Sequence, residues 1–178
     1  MVYNWPHGTS IEIEGDLASN LANIENIVAI KDSTSNVEQF RNTTKLVIDR
    51  VKVFGNFMVP DNLKFMQEFG GDGTIGGGSI YGKLDSEFWE NFWSGKTDAS
   101  LQHAIANERL LSKLWQPGGW RGIYGAYQSQ LKAIMKIMGL PGGEVRPPRL
   151  EISDPAALAE IEKIRNGSDF KKLGIISP

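Results

Sequence analysis

The segment that most constrains the fold is an uninterrupted apolar run, Ile27-Val28-Ala29-Ile30, which ends at Lys31 and Asp32. A run of this length without a polar residue is typical of a strand that is buried on both faces. Strands of that kind belong to parallel sheets, because helices cover both faces of such sheets. The segment therefore predicts a parallel α/β core with a charged side chain at a strand end.

Lys31 lies at the carboxyl end of this predicted strand. This is the position at which α/β barrels carry their catalytic groups. Partial desolvation there favours the neutral amine, which can attack a carbonyl carbon. The alternative is a lysine that only extends its ammonium group into solvent. The segment by itself leaves both interpretations open.

Strand and helix patterns alternate along the first part of the chain, which predicts a parallel sheet. The predicted elements cover residues 2–4, 15–23, 27–31, 36–50, 51–55, 60–69 and 71–78, the last as a glycine-rich strand or loop. Asp32, Ser33 and Ser35 are candidate N-caps of the second helix. Beyond Lys83 only helical spacing remains, over residues 88–93, 100–115, 122–138 and 155–166. We assign residues 1–95 to the α/β part and 96–178 to a C-terminal helical domain.

The chain length limits what this alternation can build. A closed eight-stranded barrel takes about 250 residues, whereas the chain has 178. The pattern therefore predicts half of a (β/α)8 TIM barrel, namely its second half. Half a barrel exposes sheet edges and an apolar interior, which favour association. We expect a homo-oligomer or pairing with a missing N-terminal half, and a truncated or incomplete gene product is a further interpretation.

Composition excludes several function classes. A net charge of -2 and a pI near 5.7 give no basic surface for nucleic acid. The absence of cysteine excludes disulfides and thiolate metal sites, and two histidines, His7 and His103, argue against a histidine-built metal site. Neither a membrane span nor a signal peptide is evident. We expect a cytoplasmic protein that needs no metal.

Four motifs together resemble one enzyme family. They are Tyr3-Asn4-Trp5-Pro6, the run Asn26 to Ser33 that contains Lys31, Gly70-Gly71-Asp72-Gly73-Thr74-Ile75, and Arg146-Pro147-Pro148. In order and spacing they resemble the dihydrodipicolinate synthase and N-acetylneuraminate lyase family of class I aldolases. The resemblance covers the latter part of a family member. It implies that the strands here are strands five to eight of the barrel.

The resemblance also implies a mechanism. Lys31 would form a Schiff base with pyruvate or a related 2-keto acid, and Tyr3 would relay protons. The residues that would line the substrate site are Gly55, Ile75, Gly76 and Gly77. No metal or organic cofactor is implied. Without the resemblance, Tyr3 would be interpreted as a packed tyrosine whose hydroxyl binds a backbone group.

Three departures from the family pattern bear on the substrate. Many synthases have an arginine two residues after the proline, where this chain has Gly8. Gly55 is followed by Asn56, Phe57 and Met58 rather than by acidic residues, which favours an apolar or aromatic substrate tail. The family's upstream loop for the pyruvate carboxylate is not in this chain. A catalytically silent half-barrel that serves as an assembly or interaction module is therefore the second hypothesis.

A nucleotide-binding interpretation is weaker. Residues 71–76 match Gly-x-Gly-x-x-Gly. A dinucleotide site requires a strand before this motif and a helix that begins inside it. Here a predicted helix precedes it, so we expect the glycines to allow close backbone approach to a bound substrate.

Overall fold

Two compact units make up the chain, Met1–Gly76 and Gly77–Pro178. The structure is a computed structural model that describes residues 1–76, 82–115, 123–167 and 171–173. The division precedes the boundary predicted at residue 95. The physical reason is that the helix before residue 95 packs against the helix that follows it.

A parallel three-stranded sheet forms the centre of the N-terminal unit. Its strands are β1 (Val2–Asn4), β2 (Ala29–Asp32) and β3 (Lys52–Phe54), in the spatial order β1-β2-β3. Both pairings are parallel. The parallel α/β architecture that the alternating pattern predicts is therefore confirmed for this unit.

Helices connect and flank these strands. They are α1 (Pro6–Thr9), α2 (Gly15–Ala22), α3 (Val37–Val47), a 3-10 helix (Pro60–Asn62) and α4 (Leu63–Phe69). The N-cap of α3 is Asn36, whose Oδ1 accepts the Gln39 N–H at 3.1 Å. The predicted caps Asp32, Ser33 and Ser35 are thus wrong, since the helix begins at Val37 and Asn36 directly precedes it.

The two faces of the sheet differ in exposure because successive strand residues point to opposite sides. Ile30 and Val53 are almost completely buried, as is Phe40 of α3. Lys31 and Phe54 alternate with these residues and are only half-buried, and Tyr3 is 43% exposed. One face therefore belongs to the core, and the other carries the side chains predicted to be functional.

The fourth predicted strand is reduced to a single parallel bridge. Gly73 pairs with Phe54, and the Gly55 N–H donates to the Gly73 carbonyl at 3.2 Å. Positive φ angles of 86° at Gly70, before the bridge, and of 147° at Gly73, in the bridge itself, interrupt regular strand geometry.

The C-terminal unit is helical in its described part, with α5 (Leu84–Trp93), α6 (Thr97–Trp115), α7 (Tyr127–Ile137) and α8 (Pro155–Arg165). The side chains of Phe88, Leu114, Ile134 and Ile161 are completely buried. The Ser100 hydroxyl of α6 donates to the Phe88 carbonyl of α5 at 3.4 Å. The four helices predicted here are present, with ends shifted by up to five residues. Gly122, the predicted start of the third, lies outside the described residues.

Within the described ranges, no helix is both long enough and apolar enough to cross a lipid bilayer.

Candidate active site

The strand register brings Lys31 and Tyr3 together. β1 and β2 pair so that Tyr3 is the partner of Lys31 and Asn4 the partner of Asp32. β3 continues the row, with Phe54 opposite Lys31. Because partner residues in a parallel pair point to the same face of the sheet, Tyr3, Lys31 and Phe54 share one face near the carboxyl ends of their strands.

The Lys31 amine lies directly over the Tyr3 ring. Its Nζ is 4.1 Å from the ring centroid, within the range of a cation–π contact. The alternative of a packed core tyrosine does not fit Tyr3, because this residue is 43% exposed. A lysine that only extends into solvent does not fit an amine that contacts the ring of the neighbouring strand. The pair is thus accessible from solvent and preassembled.

A buried polar pair lies directly behind these two residues. Asn4 and Asp32 are 1% and 2% exposed, and the Asn4 Nδ2 donates to the Asp32 Oδ1 at 2.9 Å. The same carboxylate oxygen accepts the Thr34 N–H at 2.9 Å. The Asn4 Oδ1 accepts the Ile13 N–H at 3.0 Å. This Asn4–Asp32 pair therefore joins the ends of β1 and β2 to the segment that leads into α2.

The Asp32 carboxyl group is electrostatically unusual. Burial raises its pKa above the ordinary value, and the charge of Glu12 acts in the same direction, while the hydrogen bonds from Thr34 and Asn4 oppose both. Its second oxygen, Oδ2, is buried and has no hydrogen-bond partner among the residues that the structure describes. Burial therefore shifts this carboxyl group towards its neutral form.

Trp5 extends the aromatic surface beyond Tyr3. The Tyr3 and Trp5 rings are stacked, with centroids 6.1 Å apart and planes at 2° to each other. The indole also lies against Gly8, where an added Cβ would be 2.2 Å from the ring carbons Cε3 and Cζ3. Only a glycine leaves room for the indole in this position. The absence of a side chain at Gly8 thus accommodates the Trp5 ring.

The predicted substrate-binding residues fall into different settings. Gly55 is packed at the end of β3, where a Cβ would be 2.4 Å from Phe40 Cε2 and 2.9 Å from the Asp32 carbonyl oxygen. Ile75 is 41% exposed and Gly76 has open space around its Cα. In the described part of the chain, no hydrogen bond or ring contact joins Ile75 or Gly76 to Lys31. Gly77 lies outside the described residues.

The expectation that Phe57 and Met58 present an apolar surface to a substrate is not met. They are 0% and 3% exposed, and the Phe57 ring packs edge-on against Phe40 with centroids 4.9 Å apart. They are core residues because the chain turns inward after Gly55. The apolar surface beside Lys31 comes from Tyr3 and Trp5 instead.

The glycine-rich run lacks the context of a nucleotide site. The helix α4 precedes it, and its Gly73 forms a bridge to β3. Gly71 and Gly73 make room for aromatic side chains of this unit, since an added Cβ would be 3.2 Å from the Phe57 ring and 3.0 Å from the Phe54 ring, respectively. Across residues 1–76, 82–115, 123–167 and 171–173, no group of three or more His, Asp or Glu could hold a metal ion.

The Asn4–Asp32 pair and the contact of Trp5 with Gly8 were not predicted as parts of the site. A signal for the first exists, because Asn4 and Asp32 directly follow Tyr3 and Lys31 and strand pairing places them side by side. The second has no sequence signal of its own, since the indole direction depends on the turn at Pro6. As a whole, the site offers one amine, one phenol and an aromatic surface at adjacent strand ends.

The comparisons with known proteins agree with one another. The dihydrodipicolinate synthetase family model matches residues 1–165. A 4-hydroxy-tetrahydrodipicolinate synthase from Pelagibacter ubique is 29% identical over 157 residues, which are 87% of this chain and 51% of that protein. The chain spans about half the length of the curated relatives it matches.

Solved structures with low sequence identity share the fold. YagE from E. coli K12, solved in complex with pyruvate, superposes with a TM-score of 0.74 at 20% identity, over 98% of this chain and 55% of YagE. A catalytic lysine mutant of the Ruminococcus gnavus sialic acid aldolase gives a TM-score of 0.71 at 20% identity, over 96% of this chain and 54% of the aldolase.

The relatives named by these comparisons are synthases and aldolases. The family match extends over nearly the whole chain and includes both strands that carry Lys31 and Tyr3. We conclude that this protein belongs to the dihydrodipicolinate synthetase family.

Proposed function

We propose that this chain carries the Schiff-base centre of a class I lyase or aldolase that acts on pyruvate or a related 2-keto acid. The observation that carries the proposal is the Lys31 Nζ, 4.1 Å from the Tyr3 ring centroid at the ends of two adjacent parallel strands. Carboxyl ends of parallel strands are where α/β barrel enzymes assemble their sites.

In the proposed reaction, Lys31 is the nucleophile. Its neutral amine attacks the keto carbon, the new C–N bond replaces the C–O bond, and the keto oxygen leaves as water. The resulting imine withdraws electrons from the adjacent carbon, so that a carbon–carbon bond there can form or break. Neither a metal nor an organic cofactor is needed for this step.

Tyr3 is the proposed proton relay. A phenol can give and take a proton at the substrate oxygen and at the carbinolamine that precedes the imine. Its location beside the amine supports the role, because the strand register fixes the two side chains relative to each other.

The proposed substrate site is completed by Gly55, Ile75, Gly76 and Gly77. Gly55 closes the end of β3 without a side chain that would crowd the neighbouring strand end. The exposed Ile75 and Gly76 follow the bridge to β3 and would line the entrance to the site.

At the level of the fold, we propose that β1, β2, β3 and the segment around Gly73 correspond to strands five to eight of a (β/α)8 barrel. The parallel order of the strands and the shared fold of YagE, of which 55% is covered, support this assignment. We further propose that the protein forms a homo-oligomer and acts in the cytoplasm.

Borohydride trapping tests the function directly. The purified chain is incubated with pyruvate and reduced with borohydride. Its intact mass is then measured, and the masses of its peptides are measured after digestion. We expect a mass gain equal to pyruvate minus one oxygen, because water is lost and two hydrogens are added. The modified peptide should contain Lys31.

The matched control is a second lysine that also lies over an aromatic ring. Lys45 Nζ is 4.6 Å from the Phe69 ring centroid, but it belongs to α3 rather than to a strand end. Lys31→Ala should abolish the adduct, whereas Lys45→Ala should trap as the unchanged chain does. An unmodified mass after reduction, or an adduct that persists in Lys31→Ala, contradicts the proposal.

A further inference from the structure

Backbone hydrogen bonds fix the position of Trp5, and its side chain contacts Tyr3 and Gly8. The N–H groups of Gly8 and Thr9 donate to the Trp5 carbonyl at 2.9 and 3.1 Å, and the Thr9 hydroxyl donates to it at 3.0 Å. The indole stacks on Tyr3 and lies against the bare Cα of Gly8. Such a ring binds a ligand at little entropic cost, because it is already ordered.

Tyr3 connects this ring to the reacting amine. Lys31 contacts Tyr3, and the Trp5 ring stacks parallel to the Tyr3 ring. The centroids of the two rings are 6.1 Å apart. Tyr3 is 43% exposed and Trp5 is half-buried, so that solvent reaches both rings. A keto acid attached to Lys31 would therefore extend its tail along an aromatic surface.

The charges of the N-terminal unit give little support to an anionic tail. Four of its basic side chains already have partners, namely Arg41 on Asn62, Lys45 over Phe69, Arg50 on Asn23 and Lys52 on Asp72. Because these partners already occupy the four cations, a second carboxylate on the substrate gains no ready counter-charge from them.

We propose that Trp5 is a specificity-determining residue, whose indole face binds a flat, uncharged apolar group on the tail of the 2-keto acid. The inference rests on the proposed function, since it presumes that Lys31 holds the keto carbon. Gly8 contributes to this specificity because only a residue without Cβ lets the indole occupy this position.

The test compares two keto acids that differ only at the tail. 2-Oxo-4-phenylbutanoate and 2-oxoglutarate share the keto acid and the two methylene groups, and they end in a phenyl ring and a carboxylate, respectively. Both are offered together at equal concentration, and borohydride reduces each imine by adding hydride to its carbon. Intact mass separates the two secondary-amine adducts, and pyruvate serves as the reference without a tail.

For the unchanged chain, we expect the phenyl adduct to exceed the carboxylate adduct by about three- to ten-fold, the range of one aromatic pair. Trp5→Ala should bring the ratio of the two adducts near one. Gly8→Ala should lower it as well, because the new methyl group displaces the indole without removing it. Trp5→Phe keeps an aromatic face and should retain most of the preference.

Trp93→Ala is the matched control, since Trp93 is a tryptophan of the other unit that is 62% exposed. Its adduct ratio should equal that of the unchanged chain. If pyruvate is trapped but the ratio is near one, or if both Trp5→Ala and Gly8→Ala keep the preference, the inference about Trp5 is overturned while the function stands. If no keto acid is trapped, the proposed function fails and the inference fails with it.

Discussion

Single residues explain how the site can be both open and ordered. Lys31 and Tyr3 are accessible, yet each is followed by a buried polar residue that holds its strand end. The side chains that face solvent are therefore positioned by those that do not. Gly55 shows the same principle, because the end of β3 approaches β2 only where no side chain intervenes.

A methyl group at Gly55 should be destabilising. In Gly55→Ala the new Cβ would lie 2.4 Å from the Phe40 ring and 2.9 Å from the Asp32 carbonyl oxygen. We expect a loss of about 1–3 kcal/mol in the free energy of unfolding, since a backbone oxygen cannot move aside easily. Gly76→Ala, where nothing lies within 4 Å of the new methyl group, should change it by less than about 0.5 kcal/mol. Chemical denaturation measures both, and equal effects would refute the packing argument.

At the scale of elements, hydrogen bonds between strand ends fix the geometry of the candidate site. Asn4 joins β1 to Asp32 of β2, and its amide also binds the backbone of Ile13 ahead of α2. The backbone adds a further link, since the Ser33 N–H donates to the Asn4 carbonyl at 2.9 Å. Two strands and one connecting segment are therefore held by a single buried side chain.

Removal of the Asn4 side chain should lower the free energy of unfolding by more than the loss of a surface hydrogen bond does. We expect Asn4→Ala to lower the free energy of unfolding by about 1–3 kcal/mol, because it leaves buried groups of Asp32 and Ile13 without their partner. Asp32→Ala in the Asn4→Ala background should then cost less than it does alone. Thermal or denaturant unfolding of the four proteins gives the coupling energy.

Asn23→Ala provides the control for this cycle. Asn23 accepts a hydrogen bond from Arg50 at 2.7 Å and shares no partner with Asp32. Its effect should add to that of Asp32→Ala within about 0.5 kcal/mol. If the effects of Asn4→Ala and Asp32→Ala on the free energy of unfolding were also additive, the Asn4–Asp32 pair would not couple the strands.

For the whole molecule, buried carboxyl groups determine how stability depends on pH. Burial raises the pKa of Asp85 in the helical unit to about 6, from an ordinary value of 3.8. Its Oδ1 is buried without a hydrogen-bond partner within the described residues. A raised pKa in the folded state stabilises the fold at low pH, and this contribution disappears as pH rises through the folded value.

The free energy of unfolding should therefore fall by roughly 1–3 kcal/mol between about pH 4 and pH 6 on account of Asp85. Asp85→Asn should remove this dependence and exceed the unchanged chain in stability at pH 7. Asp98→Asn is the control, because Asp98 also lies in the first turn of a helix but is exposed. Denaturation curves at pH 4, pH 6 and pH 7 test this. A free energy of unfolding that does not change with pH in the unchanged chain would contradict it.

Much of the element order follows from sequence, because it depends on local periodicity. The predicted strand at 27–31 is found at Ala29–Asp32, and the predicted helix at 155–166 is found at Pro155–Arg165, capped by Asp154. Prediction from the sequence failed where the direction of a side chain mattered. Phe57 and Met58 were expected to face a substrate and instead fill the core, since apolar character does not specify which side of a turn a residue takes.

The amino-acid sequence by itself determined the parallel α/β character, the family, and the choice of Lys31 and Tyr3, because apolar periodicity and motif order are properties of neighbours along the chain. Only the tertiary structure decided that Asn4 is hydrogen-bonded to Asp32, and that Trp5 stacks on Tyr3 and lies against Gly8. These contacts depend on strand register and on the path of a turn. Both are fixed only when distant segments pack together.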